Sequence, residues 1–483
     1  MKTIHGKFIF SAAALAFAPQ VMHATEQPNI IFILADDMGW GDIGALGQKK
    51  FKTPNLDRMI SEGMFFTRHY DGAPVSAPSR CVLMTGKHTG HSSIRGNKAI
   101  PGVGVAPLHP SDVTIPEALH EAGYTTAMCG RWHLGGELTN QTPFHRGFDY
   151  HFGKLSSNFR NKHGVLVDGQ WDESGKHISY AQYSKQGYEP VYCNGKLYDL
   201  QPDDKRPVNL DRLVTDKAID YICQPKDKPF FLYVAFCLPH GPMEYHEASP
   251  VPANDWPEAE RAFASMMQSL DKYVGEIIGA VDKAGIGKNT LIVFVSDNGA
   301  HSEDGHDYRF FRSTGDYRGF KRDLYDGGDH APMIARWTGT IRPGSTSNHL
   351  CAFWDWQATM CDLAGIEPPK DTDGLSFAPV FYGKKPWRSH DFLYWEFPEK
   401  ADRKHPGPEF KQSVLFDNWK FIHYLDTNVK ELYDLSTDVA EEHNLADKHP
   451  DLVEKALYFI RISHEQNPAF PMTRTERNLP EFE

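Results

Sequence analysis

Asn29-Ile30-Ile31-Phe32-Ile33-Leu34-Ala35-Asp36-Asp37 is the stretch whose reading decides the fold. The run Asn29-Leu34 is short, apolar and unbroken, the mark of a strand buried on both faces of a parallel sheet. Three further runs read the same way: Tyr124-Cys129, Phe230-Phe236 and Thr290-Val295. Helical patterns separate them. Thr114-Ile-Pro-Glu117 has the capping-box spacing with an early Pro, and Gly123 ends that helix. A longer helix is expected from about Glu258 to Ala284, stopped by Gly285. Strands alternating with helices predict an α/β fold: a large, mostly parallel central sheet flanked by helices.

Working outward, polar residues follow each of these strands. Asp36-Asp37 follow the first, Arg131 and His133 the second, His240 the third, and Asp297-Asn298 the fourth. Open α/β sheets bind ligands beyond the carboxyl ends of their strands, so four strands deliver polar groups to one edge. A hard divalent cation takes oxygen ligands, and Asp36, Asp37, Asp297 and Asn298 form such a set without Cys or His to favour zinc. Each pair alone is also an ordinary turn after a strand. Their occurrence at two strand ends favours the cation.

After about residue 385 the texture changes. Phe392-Trp395, Ser413-Phe416, Trp419-Tyr424 and Glu431-Leu435 are short, aromatic-rich and separated by turns. They predict a smaller C-terminal antiparallel sheet, with a terminal helix near Asp451-Ser463. The expected organisation is a signal peptide over 1–24, a catalytic domain over 25–385 and a small antiparallel subdomain over 386–483. The first segment has Lys2 and Lys7 before an apolar Phe8-Ala18, with Ala24 before the expected cut. That run is too short to span a membrane, so the mature protein is expected to be exported, periplasmic or secreted. The net charge of −12 argues against nucleic acid or an anionic membrane as the main partner. An anionic substrate then demands positive charge concentrated locally. The seven cysteines are scattered without a CxxC and read as small buried hydrophobes.

Ser76-Ala77-Pro78-Ser79-Arg80, running on to Thr85-Gly86-Lys87, resembles the sulfatase signature C/S-x-P-S-R…T-G-R/K. The chain therefore looks like a Ser-type sulfatase of the alkaline-phosphatase-like superfamily, and the resemblance extends through Trp419-Lys420 and Glu431-Leu435 to nearly all of the mature chain. It implies that Ser76 becomes formylglycine, whose hydrate attacks the sulfur of a sulfate ester. A sulfo-enzyme intermediate would follow. It also implies a calcium ion held by Asp36, Asp37, Asp297, Asn298 and the oxygen at Ser76. Arg80 would steady the hydrate and His133 would assist sulfate release, while His240 would protonate the leaving alcohol. Lys87, Arg131 and Lys321 would bind sulfate. A maturation enzyme able to act on serine is an implied partner.

The chain departs from the family pattern in three places. Gly130-Arg131-Trp-His133-Leu-Gly135 has Arg where a sulfate-binding Lys is usual, and Arg differs from Lys in shape and donor geometry. Asp326-Gly-Gly-Asp-His330-Ala-Pro332 stands for E-G-G-x-R-V-P, and Ser76 replaces the commoner Cys. Exported Ser-type relatives imply a sulfated saccharide as substrate, of galactose or N-acetylgalactosamine type. Specificity is expected from loops at Arg95-Asn97, His145-His151, Tyr180-Tyr198 and Ser302-Arg312. Two other readings are a phosphate or phosphonate ester hydrolase of the same superfamily, and a non-catalytic binder of sulfated glycans with Ser76 unmodified.

Overall fold

The computed structural model describes residues 27–97, 99–100, 104–136, 139–155, 170–171, 177–178, 191–198, 210–243, 245, 255–399 and 410–478. The expected signal peptide and residues 180–190 of one expected specificity loop lie outside the described residues. The main sheet comprises β1 (Asn29–Asp36), β2 (Met64–Phe66), β3 (Thr125–Arg131), β4 (Tyr150–Lys154), β5 (Tyr192–Cys193), β6 (Lys196–Leu197), β7 (Phe230–Pro239), β8 (Thr290–Ser296), β9 (Met333–Arg336) and β10 (Ser345–Ser347). Its order is β6-β5-β4-β3-β7-β1-β8-β9-β2-β10. The inner strands β4, β3, β7, β1 and β8 run parallel, in register Ile30↔Phe231 and Ile30↔Leu291. The flanks turn antiparallel at β5 and at β9.

Alternation along the inner strands fills two layers. Ile30, Phe32 and Leu34 face one core with Tyr233, Val293 and Trp356. Ile31 and Ile33 face the other with Val234, Phe294 and Ile277. The first layer is closed by α2 (Ser76–Thr85), α3 (Ile115–Glu121) and α6 (Asp355–Ala364). The second is closed by α1 (Pro54–Glu62), α4 (Leu210–Cys223) and α5 (Glu258–Lys283). This is why β1 is buried at every position and is apolar from Ile30 to Ala35, between Asn29 and Asp36. The Thr114–Glu117 capping box forms as expected, with the Thr114 side chain accepting the Glu117 N–H. Among the described residues no helix is long and apolar enough to cross a membrane.

The small sheet is β11 (Leu393–Phe397), β12 (Lys411–Phe416), β13 (Trp419–Tyr424) and β14 (Val429–Asp434), antiparallel in that order. One face packs on α7 (Pro450–Ser463) through Val414, Phe421 and Ile460. The other face sends Leu393, Trp395, Leu415 and Ile422 into the main core, so both sheets share one apolar interior. Lys420 lies on that inward face, fully buried, with Nζ 3.0 Å from Asp326 and 3.1 Å from Asp329. Gly327 is fixed by close approach: a Cβ there would sit 2.3 Å from the Gly319 carbonyl oxygen.

Candidate active site at the carboxyl ends of the strands

Ser76 opens α2, and all ten residues of that helix are buried. The helix ends at Gly86, which takes the left-handed conformation expected at that position. Ser76 Oγ donates to Asp36 Oδ1 at 2.9 Å, joining the signature to the end of β1. Asp37 has φ +69°, and His133 has φ +62°. A non-glycine residue in the left-handed region costs about 1 kcal/mol or more, and such residues gather where geometry serves a site.

Three cations converge on these carboxylates. Arg80 donates through Nε to Asp297 at 2.9 Å and through Nη2 to Asp36 at 3.1 Å, while its Nη1 donates to the Arg131 carbonyl at 2.7 Å. Arg131 Nη1 donates to Asp36 and lies 3.4 Å from Ser76 Oγ. Lys321 Nζ is 2.8 Å from Asp37 and 3.1 Å from Glu303. Burial pushes the Asp36 carboxyl up, but Arg131 and Arg80, with His240 and Lys321, more than reverse it and hold it below the usual carboxylate range. Burial and the neighbouring Asp36 charge instead push Asp297 up to about 6. Lys321 stays firmly charged: burial lowers it, and Asp37 and Glu303 outweigh that.

The histidines are oriented differently. Arg131 Nη2 donates to His133 Nδ1 at 2.8 Å, so Nδ1 is an acceptor and any ring proton sits on Nε2. Burial and the two adjacent guanidiniums hold His133 well below the ordinary histidine range. His240 Nδ1 lies 2.7 Å from the Gly241 carbonyl oxygen, and its Nε2 faces Asp37 at 3.6 Å.

Among the polar atoms buried here without a hydrogen-bond partner are Asn298 Oδ1 and Arg131 Nε. Asn298 Nδ2 donates to Asp37 Oδ1 at 2.8 Å, which fixes the amide so that its free atom is an acceptor. An orphan acceptor beside three carboxylates fits a hard cation, and an orphan guanidinium donor fits an anion. Asp36, Asp37 and His240 bring three ligand atoms within 4.8 Å of one another, and so do Asp37, His301 and Glu303. His301 cannot serve as it stands, because Nδ1 accepts the Glu303 N–H and Nε2 lies 3.2 Å from the Pro239 carbonyl oxygen. The donor set that fits is therefore Asp36, Asp37, Asp297 and Asn298.

The structure brings Ser76, Arg80, Arg131, His133, His240, Lys321, Asp36, Asp37, Asp297 and Asn298 into one buried cluster. It does not bring Lys87 there. The Lys87 ammonium lies 3.3 Å from Asp112 and 2.6 Å from Asp371, because the turn at Gly86 sends the chain away from Ser76. Two ion pairs therefore engage the Lys87 ammonium past the far end of α2 from Ser76. Of the expected specificity loops, Arg95-Asn97 reaches the site: Asn97 Oδ1 accepts the Ala77 N–H at 3.0 Å, while Arg95 pairs with Glu396. Glu399 Oε1 accepts the Asn97 N–H at 2.7 Å, and its other oxygen pairs with Arg322, next to Lys321. Glu303 was foreseen only as part of the charged Ser302-Arg312 loop. Here Lys321 and His240 outweigh its burial and hold it below the glutamate range.

Residues 28–366 match the sulfatase family. Residues 315–458 match the family described as N-sulphoglucosamine sulphohydrolase, C-terminal. N-acetylgalactosamine-6-sulfatase of Mus musculus is 33% identical over 379 residues, covering 74% of this chain and 66% of the relative. Arylsulfatase G of Rattus norvegicus is 33% identical over 387 residues, covering 74% and 69%. The chain thus spans about two thirds of the length of these relatives. The crystal structure of Ps i-CgsB in complex with k-i-k-neocarrahexaose superposes with a TM-score of 0.77 at 26% identity, over 94% of this chain and 96% of that one. With the fold, the Ser76 cluster and these matches agreeing, the chain belongs to the sulfatase family of sulfuric ester hydrolases.

Proposed function

We propose that this chain hydrolyses sulfate esters on a saccharide of galactose or N-acetylgalactosamine type, after conversion of Ser76 to formylglycine and with a calcium ion at Asp36, Asp37, Asp297 and Asn298. The observation that carries the reading is the charge arrangement around Ser76. Four carboxylates, Asp36, Asp37, Asp297 and Glu303, face three permanent cations, Arg80, Arg131 and Lys321. A divalent cation turns that deficit of one positive charge into a surplus of one. A sulfate monoester carries one negative charge and restores balance, whereas a phosphate monoester near neutrality carries closer to two. Bound calcium would polarise the reacting oxygen and share the sulfate charge. The serine hydroxyl seen here stands in for the oxygen that the aldehyde hydrate would present as nucleophile.

The chain's own residues supply the rest. Arg131, with its unpaired Nε, and Lys321 hold the sulfuryl oxygens where charge develops. His240 is anchored at Nδ1, and its Nε2, which faces Asp37, delivers a proton to the departing alcohol. His133, kept neutral, carries its proton on Nε2 away from Arg131 and assists sulfate release. The sugar type is supported by the relative named N-acetylgalactosamine-6-sulfatase and by the k-i-k-neocarrahexaose in the Ps i-CgsB complex. Export through residues 1–24, to the periplasm or beyond, completes the proposal.

The test is peptide mass spectrometry across Ser76, on protein from cells that modify serine-type sulfatases, paired with sulfate release from a panel of sulfated galactosides and N-acetylgalactosaminides. The expected result is a peptide lightened by loss of hydrogen that reacts with an aldehyde probe, together with sulfate release. An unmodified Ser76 without turnover overturns the mechanism in favour of a glycan binder. Preferential release of phosphate from phosphate esters overturns the substrate class.

A further inference from the structure

Outside the active cluster, the most anomalous surface feature is the loop between the main core and β11. Trp387 is 86% exposed, whereas the next most exposed large apolar residue among the described residues, Phe144, reaches 54%. Trp is enriched where a protein meets a partner or ligand, because its ring is a large apolar face with a polar N–H. The loop is held at both ends. Gly383 and Lys384 donate backbone N–H groups to the Val380 and Pro379 carbonyls, and His390 Nε2 lies 2.6 Å from Asp355 Oδ1. Between these anchors run Lys384-Lys385-Pro386-Trp387-Arg388, three cations around one indole without an acid among them. Lys385 and Arg388 are exposed, and neither has an ion-pair partner among the described residues. On a chain of net charge −12, such a local cationic patch opposes the overall field.

We propose that the Lys385–Arg388 loop is a surface site for sulfated polysaccharide, with the Trp387 indole stacked on a sugar ring and Lys385 and Arg388 paired with its sulfates. The chemistry matches each part. An indole offers a flat apolar face to the C–H side of a pyranose. Exposed ammonium and guanidinium groups meet sulfate oxygens through charge-assisted hydrogen bonds. A protein partner is disfavoured by size, because a stable interface covers about 800 Å² on each side and this patch is one loop tip. The choice of a sulfated rather than a neutral sugar rests on the substrate class proposed above. The function that follows is anchoring: the polymer would be held at one point on the surface while its ends or branches are presented to the catalytic cluster.

The experiment is affinity electrophoresis of the full chain carrying Ser76→Ala, so that no polymer is consumed. The gels contain chondroitin 6-sulfate, ι-carrageenan or unsulfated chondroitin. The expected result is retardation by at least one sulfated polymer and not by unsulfated chondroitin. Trp387→Ala and the double variant Lys385→Gln/Arg388→Gln should each weaken it at least tenfold, with the double variant also less sensitive to salt. In the Ser76-bearing, matured enzyme, the same loop variants should turn over 4-nitrophenyl sulfate at the parent rate. Undiminished retardation of Trp387→Ala overturns the inference, as does an absence of retardation by either sulfated polymer. Equal retardation by unsulfated chondroitin, or equal displacement by a thymidine oligonucleotide, also overturns it. A parent dimer that dissociates on Trp387→Ala would assign the face to a second copy and overturn it likewise. Trp387-dependent polymer binding by a chain that cleaves no sulfate ester would leave this inference standing and sink the catalytic one.

Discussion

Replacing Lys420 by methionine tests how the small sheet is tied to the body of the protein. Methionine keeps much of the volume and removes the charge. The ammonium it replaces is fully buried, bonded to Asp326 and Asp329, and it lies over the rings of Tyr70 and Trp395 at 5.3 and 5.0 Å. Glu441 is also buried there, accepting the Asp326 N–H at 2.9 Å. Removing one partner of a buried charge network costs about 3–5 kcal/mol, because the remaining charges are left uncompensated. Unfolding entropy of about 2.1 cal/mol/K per residue gives about 1 kcal/mol/K over 483 residues. The melting temperature should therefore fall by about 3–5 °C at pH 8.

The pH dependence adds a second constraint. Burial raises the Asp329 carboxyl to about 7 even with Lys420 present, and burial with the Asp326 charge raises Glu441 well above the glutamate range. A carboxyl whose folded pKa exceeds its unfolded value binds its proton more tightly when folded. Its contribution to stability therefore declines as pH rises from about 4 through 7. At pH 5 the variant leaves mainly Asp326 unpaired, so its deficit should be smaller than at pH 8. Scanning calorimetry of parent and variant at both pH values reads this directly. A fall under about 1 °C at pH 8, or a larger fall at pH 5, would refute the network argument.

Three other expectations are simpler to state. Calcium restored to chelated protein at about a hundred times its Kd should add about 2.7 kcal/mol, or roughly 3 °C of melting temperature; no shift would sink the oxygen-donor assignment. Lys321→Met should cut kcat/KM about 10²–10³-fold on a sulfate ester, as expected for one lost charge-stabilising donor, and near-parent turnover would remove Lys321 from the site. Lys87→Gln should stay within about threefold of parent activity, since its ammonium is engaged by Asp112 and Asp371; a hundredfold loss would restore it to the sulfate contacts.

The sequence was most legible where periodicity was strong. The four inner strands predicted from apolar runs appear as β1, β3, β7 and β8, and the long helix appears as α5, because residues buried on both faces leave an unbroken apolar signal. The antiparallel flanks were not foreseen. Strands of two to four residues such as β2, β5 and β9 carry too little pattern, and their direction is set by partners far along the chain. Within the site, strand-end placement located the carboxylates and His240, since chain direction alone puts them on one edge. The Asp112 and Asp371 partners of Lys87 were not foreseen, because nearness in sequence to Ser76 says nothing about which way the chain leaves α2. Lys420 is the opposite case: a cation in an alternating strand ordinarily faces water, and only the docking of β13 onto Asp326 and Asp329 turns it inward.

The burial of α2 along its whole length bears on when the proposed conversion of Ser76 could occur. Ser76 is 1% exposed and sits at the base of a packed cluster, beyond reach of any macromolecular catalyst once the fold has closed. An enzyme that altered this side chain, as proposed above, would have to meet it as extended polypeptide. Were Ser76 modified as proposed, modification and folding would be in kinetic competition. A molecule that folds first is committed, until it unfolds, to whatever residue it carries at that position.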